Sequence, residues 1–192
     1  MEATFFFDPA CPWTWRTSRW LLTVAPSREV SVRWRAFSLA MLHDGAPPEQ
    51  FRAVLAASGQ ALRLVEALRA DNRHDDIARF YTELGTRSHQ VEAPLSGEIV
   101  LAAAEAADLT DVKRVIDDPA WDEAVRESHD TAMASAGPDI GSPVLMLDGA
   151  RRGLHGPVLA ESYDQAEALR IWDAVVPLLH SSAFFEVKRG RH

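Results

Sequence analysis

Residues 5–20 read FFFDPACPWTWRTSRW and contain the only cysteine of the chain, Cys11. ATFFF (3–7) is a short apolar run halted by Asp8-Pro9, the pattern of a buried strand running into a turn. Beyond Pro12, residues Trp13, Thr17, Trp20, Leu21 and Val24 recur at helical spacing, and Pro26 is expected to end that helix. VSVRWRAFSL (30–39) then alternates, with Val30, Val32, Trp34 and Ala36 on one side and Ser31, Arg33, Arg35 and Phe37 on the other, which predicts a second strand. A strand–helix–strand unit within one sheet implies parallel strands joined by a right-handed crossover.

Cys11 therefore stands where a strand hands over to a helix. Unpaired backbone N–H groups and the positive end of the helix dipole favour an anion at that point. Pro12 suits the first turn, where a missing N–H costs nothing. The thiol is accordingly expected to titrate below about 8.5 and to act as a thiolate nucleophile. A dithiol site would place a second cysteine three residues on, but that position holds Thr14. The Thr14 hydroxyl can donate to the thiolate; resolution of a mixed disulfide would have to come from another thiol. Taken alone, a single cysteine at a helix start is equally an ordinary half-buried thiol.

The character changes after residue 40. Pro47-Pro48-Glu49 resembles a helix start, FRAVLAASGQALRLVEAL (51–68) carries apolar residues at helical intervals, and further helices are expected near 75–89, 96–107, 110–117 and 119–136. Sheet returns with Gly141-Ser142-Pro143 ahead of VLML (144–147), an Asp148-Gly149 hairpin signal and a return arm over 150–156. A helix from about Glu161 to His180 follows, and AFFEVKR (183–189) is expected to add an edge strand or dock an aromatic pair. This order predicts an α/β thioredoxin fold with an all-helical insertion between the second and third strands. Residues 1–40 and 137–192 would form the thioredoxin-like domain and 41–136 a helical lid. In that fold Pro143, a candidate cis proline, and the backbone of Ser142 would face Cys11 and meet a thiol-bearing ligand.

Composition narrows the function classes. The 192 residues are 47% apolar and 25% charged, with a net charge of −8 and acidic and basic residues interleaved, which suits one ordinary core and argues against nucleic-acid binding. The basic VKRGRH at the C-terminus reads as a solvated tail. No apolar run is long enough for a membrane span, the start MEATFFFDP lacks the features of a secretion signal, and one cysteine cannot close an internal disulfide. A cytoplasmic location is the expectation. Seven histidines show no ligand spacing, so no metal is expected.

FFFDPACPWTW, the insertion with TRSHQ and RESHDTAM, PDIGSPVLMLDG, the GPVL after it and FFEVKR resemble, in order, the mycothiol-dependent reductases. These are DsbA-like, thioredoxin-fold proteins of actinobacteria, some of them described as nitroreductases. The family usually carries Cys-Pro-Trp-Cys and Gly-Thr-Pro, so this chain departs at Thr14 and at Ser142. The resemblance implies that Cys11 attacks, that Pro12, Trp13, Ser142 and Pro143 border a bound thiol such as mycothiol, and that Thr14 leaves a monothiol cycle. His89 and His129 fall on matching family positions and are candidates for substrate contact, with His155 beyond the hairpin a third candidate to tune the thiol. Trp15 is a candidate to stack on a flat substrate, Arg16 and Arg19 to attract an anionic thiol, and Asp8 to shape the loop. Trp20 and Trp34 are expected in the core.

Three readings follow. The first is an oxidoreductase with Cys11 as nucleophile, a low-molecular-weight thiol as reductant, and disulfide or electrophilic small molecules as substrates. The second is a kappa-type glutathione transferase or chromene-carboxylate isomerase-like enzyme that activates a bound thiol. Those enzymes usually have serine where Cys11 stands. The third is a non-catalytic thioredoxin-fold binding protein. A homodimer is compatible with all three.

Overall fold

The computed structural model describes residues 1–43, 46–91, 93–160 and 163–190. Strand β1 spans Glu2–Phe7, helix α1 Pro12–Arg28 and strand β2 Ser31–Ala36. The insertion comprises α2 (Leu39–Leu42), α3 (Glu49–Ala70), α4 (His74–Gly85), α5 (Gly97–Ala106), α6 (Val112–Ile116) and α7 (Asp122–Ala136). Strands β3 (Val144–Leu147) and β4 (Leu154–His155) and helix α8 (Gln165–His180) complete the chain. The four strands form one sheet in the order β2-β1-β3-β4. β1 and β2 are parallel, with Phe5 opposite Trp34, whereas β3 runs antiparallel to β1, with Phe5 opposite Leu145. This is the expected thioredoxin topology, with the helices between the second and third strands.

Alternation along β1 divides the core between the two faces of the sheet. Phe5 and Phe7 join Trp15, Trp20, Trp34, Tyr81, Leu145, Leu147 and Trp172 in one buried cluster, while Phe6 packs with Phe37, Ala132 and Val144 in another. Trp20 is fully buried, donates from Nε1 to the Ala168 carbonyl at 3.0 Å and lies 5.7 Å from the Trp172 ring, so α1 and α8 lock together on that face. The first cluster continues without a break into α3, α4 and α5 through Leu64, Phe80 and Ala103.

Several boundaries differ from expectation. Pro26 lies inside α1, which runs on to Arg28 and closes on Glu29 in the left-handed conformation (φ 50°). A proline near the end of a helix forfeits one N–H bond, and the turn beyond it survives because Glu29 and Val30 both donate back to the Ala25 carbonyl. Strand β4 is only two residues long: Gly156, next in the register, donates to the Pro143 carbonyl at 2.9 Å, but Pro143 has no N–H to return the bond and Pro157 follows. Helix α8 starts at Gln165, capped by the Asp164 carboxylate on Glu167 N–H; the expected start, Glu161, lies outside the described residues. AFFEVKR forms no strand, and Phe185 stays 71% exposed with only the Arg152 guanidinium over its ring at 5.5 Å. The last two residues of VKRGRH also lie outside the described residues. Among the described residues, no helix is long and apolar enough to cross a membrane.

Candidate active site

Cys11 is the N-cap residue of α1, in extended conformation (φ −86°, ψ 114°) with Pro12 at the first helical position. Its backbone is fixed on both sides: its N–H donates to the Asp8 carbonyl at 3.1 Å, and its carbonyl accepts from Trp15 N–H at 3.1 Å. The thiol is half-buried and points at the loop ahead of β3, donating to the Ser142 carbonyl at 3.6 Å. The Ser142–Pro143 peptide is cis. Strand β3, paired to β1, thus delivers Ser142 and Pro143 to the start of α1 from 131 residues away in the chain.

Two hydroxyls stand behind the sulfur. Thr14 is fully buried and donates from Oγ1 to Ser142 Oγ at 2.8 Å, and the same Oγ accepts Asp8 N–H at 2.9 Å. Ser142 therefore ties the end of β1, the first turn of α1 and the β3 loop through one oxygen. Asp8, 1% exposed, is a second hub. Its Oδ1 accepts from Ala10 N–H (2.8 Å) and from Ser58 Oγ of α3 (2.5 Å), and its Oδ2 from Leu39 N–H (2.7 Å). Three donors satisfy a buried carboxylate that would otherwise be costly. Burial still raises the Asp8 pKa above its ordinary value against those three bonds.

The thiol does not titrate as its position led us to expect. Burial pushes the Cys11 pKa up, and the neighbouring Asp8 adds to the rise. The Thr14 hydroxyl and the backbone N–H groups of Thr14 and Trp13 pull the other way and do not prevail. Desolvation outweighs the helix N-terminus here, and the insertion packs over the first two turns of α1 at Trp15 and Arg19.

That packing involves α4 and the π-helical turn Thr86–Gln90 that continues it. Gly85 sits against Trp15, where a Cβ would lie 2.1 Å from Trp15 Cε3. His89 Nε2 is 2.9 Å from the Pro9 carbonyl, an acceptor, so the ring donates there, and its plane is tilted over Trp15 at 6.1 Å. Burial lowers its pKa. Arg19, one turn beyond Trp15 on the same face, lies with its guanidinium 4.0 Å from the Trp15 ring centroid and donates to Thr82 Oγ1 of α4 at 2.7 Å. Burial lowers its pKa to about 10. Arg19 Nη2 and Tyr81 Oη are buried without a hydrogen-bond partner among the described residues.

The remaining candidates fall into place around this frame. Trp13 is half-buried beside Cys11, with the Arg16 guanidinium 4.9 Å from its ring centroid. Trp15, expected to border a cleft, is 5% exposed and wedged between Tyr81 and Gly85, so in this arrangement it offers no face to a substrate. Beside Trp15, the Tyr81 ring also packs on Phe7, with centroids 4.3 Å apart. His129 of α7 stacks edge-on against Phe37 (4.7 Å) and accepts Ser38 N–H at Nδ1 (3.3 Å), contacts that tie α7 to the end of β2. His155 borders the Ser142 loop, with Nε2 3.7 Å from where a Cβ of Gly141 would lie. The sequence reading offered Arg19 only as an attractor of an anionic thiol, not as a residue stacked on Trp15, and passed over Tyr81. The available signal was helical spacing, since Cys11, Trp15 and Arg19 share one face of α1. Among the described residues, no group of three or more His, Cys, Asp or Glu side chains is arranged to hold a metal.

A profile of the Rv2466c-like family, mycothiol-dependent nitroreductase Rv2466c, matches residues 10–189. The chain belongs to this family. Uncharacterized protein Rv2286c of Mycobacterium tuberculosis is 27% identical over 192 residues, spanning 97% of this chain and 81% of that protein. Among solved structures, a 2-hydroxychromene-2-carboxylate isomerase superposes with a TM-score of 0.59 at 13% identity, covering 93% of this chain and 96% of its own. The cytosolic disulfide reductase DsbM of Pseudomonas aeruginosa gives 0.55 at 16% identity (93% and 100% coverage), and the same enzyme with GSH gives 0.52 at 16% (92% and 100%). These likenesses establish the thioredoxin-type fold of a family of thiol-dependent oxidoreductases. Thr14 and Ser142, the two positions where the resemblance implied a departure, are the pair hydrogen-bonded at 2.8 Å behind the sulfur.

Proposed function

We propose that this protein is a monothiol oxidoreductase in which Cys11 exchanges disulfides with a low-molecular-weight thiol, mycothiol in first place. The observation that carries the reading is the surrounding of one sulfur. Cys11 caps α1 beside the Ser142 carbonyl, while Thr14, fully buried and held by Ser142, occupies the position from which a second thiol would attack. In the first step the Cys11 thiolate attacks one sulfur of a substrate disulfide, forming a Cys11–sulfur bond and releasing the other half as a thiolate. In the second, an external thiolate attacks the mixed disulfide, leaves as the small-molecule disulfide and returns Cys11 as thiolate. Each turn consumes one external thiol and one substrate disulfide and yields one substrate thiol and one disulfide joining the external thiol to the other substrate half, and no internal partner is consumed.

Burial pushes the Cys11 pKa up, and in the proposed cycle exchange begins when a ligand gains access beside the sulfur. Residues 41–136 act as the lid over the domain formed by 1–40 and 137–192, and the His89–Pro9 bond is the contact that yields. Pro12, Trp13, Ser142 and Pro143 line the thiol's path, and Thr14 steadies the thiolate through its hydroxyl. A cytosolic setting suits such a cycle, as it does for the cytosolic disulfide reductase with the same fold.

A second reading, in which the protein activates a bound thiol without reacting itself, draws on the upward push on the Cys11 pKa. Steady-state reduction of a small disulfide or a nitroaromatic with mycothiol as sole reductant separates the two. A rate proportional to mycothiol that Cys11→Ser abolishes supports covalent exchange, and a rate that survives Cys11→Ser moves the chemistry to the bound thiol.

A further inference from the structure

On the far end of the sheet from Cys11, a second concave site is built from basic residues that the thiol chemistry does not use. Thr4 and Arg33 are register partners on β1 and β2, four residues back from Asp8, or about 13 Å along the strand at ~3.3 Å per residue. Arg33 and Arg35 are two apart on β2 and therefore project from the same face. Arg69, at the end of α3, and His74, at the start of α4, close the opposite side, leaving an open groove of about 290 Å³.

Its charges do not cancel pair by pair. Arg33 is held by Glu2 at 2.8 Å and by Asn72 Oδ1 at 2.9 Å. Arg69 is paired with the fully buried Glu66, whose other oxygen accepts Ala36 N–H at 2.9 Å. Arg35 has no carboxylate within ion-pair distance among the described residues. Its guanidinium rests over the Phe6 ring at 5.2 Å, and its Nε is buried without a hydrogen-bond partner. Burial lowers the Arg35 pKa and the neighbouring Arg69 adds to the lowering, while Glu66 and, more weakly, Glu127 of α7 pull it up without offsetting the two. His74 carries no compensating charge either, since burial lowers its pKa and its Nδ1 accepts Trp34 N–H at 3.2 Å. A guanidinium in a concave site with its Nε buried and unpartnered is a donor that a bound anion would satisfy.

We propose that this groove binds a small phosphate ester, with Arg35 as the principal ligand and Arg33 and Arg69 at its rim. Three guanidinium groups approaching from two elements match the several terminal oxygens of a tetrahedral phosphate better than the single edge of a carboxylate. A phosphate ester carries about −1.5 to −2 at neutral pH and would supply the charge that Arg35 lacks. The volume exceeds what a phosphate group alone fills, at about 30 Å³ per displaced water, which leaves room for the body of a sugar or nucleoside. On a chain of net charge −8, such a spot focuses anions locally against the overall field.

The test is NMR of the arginine Nε–H signals of the full chain, titrated at constant ionic strength with inorganic phosphate in one arm and AMP in the other. The expected result is a saturable shift of the Arg35 signal with half-saturation in the millimolar range or tighter, weakened about tenfold or more in Arg35→Gln. Tighter binding of AMP than of phosphate places an ester in the groove, and equal binding identifies free phosphate as a sufficient source of the same chemistry. Should Arg35→Gln fail to fold, Arg33→Gln, whose side chain is 39% exposed, serves in its place and is expected to weaken binding several-fold. An Arg35 signal that does not move, or an affinity unchanged in the variant that folds, overturns the proposal.

Discussion

The chemistry of Cys11 turns on a contest between two local terms. A thiolate at the start of a helix gains from unpaired N–H groups, typically by a fraction of a kcal/mol to about 2 kcal/mol. A largely buried sulfur loses more than that when it must carry charge in a low-dielectric setting. The raised Cys11 pKa says that desolvation wins in the ligand-free arrangement. With a raised value the thiolate fraction at neutral pH is small, and alkylation by iodoacetamide should speed up about tenfold per pH unit until the midpoint, expected above the free-cysteine value of about 8.5. A midpoint below about 8 would show that the site ionises more readily than its burial dictates. Thr14 offers a second test at the same scale. It faces the same small space as the sulfur, so Thr14→Cys should allow the introduced thiol to form a disulfide with Cys11 on mild oxidation, read as a mass loss of two hydrogens and protection from alkylation. The position of Cys11 between strand and helix was legible from FFFDPACPW alone. Its raised pKa was not, because burial is set by tertiary packing, with the sulfur facing the Ser142 carbonyl 131 residues along the chain. Asp8 illustrates the same limit, since its loop-shaping role was readable but its acceptor bonds to Ser58 and Leu39 depend on α2 and α3.

At the scale of elements, α1 and α4 meet with almost no space to spare. Gly85 is the last residue of α4, and its missing Cβ lets the Trp15 ring lie flat against the backbone. Replacing it by alanine would gain up to about 1 kcal/mol of helix propensity. It would also drive a methyl group into an aromatic ring that neighbours hold on both sides, and overpacking of this kind costs about 1–3 kcal/mol. The second effect should win, so Gly85→Ala is expected to lower unfolding free energy by about 1–2 kcal/mol in a urea titration. A stabilised variant would mean that Trp15 is not seated as described. Sequence periodicity found every long helix and both parallel strands, because their apolar stripes are set locally. It misjudged Pro26, whose lost hydrogen bond falls so near the helix end that only one turn was at stake. It also misjudged AFFEVKR, where apolar residues suggested pairing but no sheet edge receives them among the described residues.

Over the whole molecule, the strand–helix–strand start, the helical insertion and the returning hairpin were recoverable from the order of patterns. The continuity of the core across the sheet and the insertion was not, because it depends on Tyr81 of α4 meeting Trp15 of α1 across the whole of β2 and α3. That continuity ties the insertion to α1, and in the proposed cycle the insertion gives way for the sulfur to react. The basic groove at the other end of the sheet escaped the sequence reading for the same reason, since Arg33 and Arg35 on β2 meet Arg69 of α3 only once the chain is folded. The most direct test of the central claim is intact-mass spectrometry of wild type and Cys11→Ser after incubation with oxidised mycothiol and with oxidised glutathione. The account predicts a single adduct on wild type, formed faster with mycothiol, removed by excess free thiol and absent from Cys11→Ser. A wild-type mass that stays unmodified with both disulfides would contradict it.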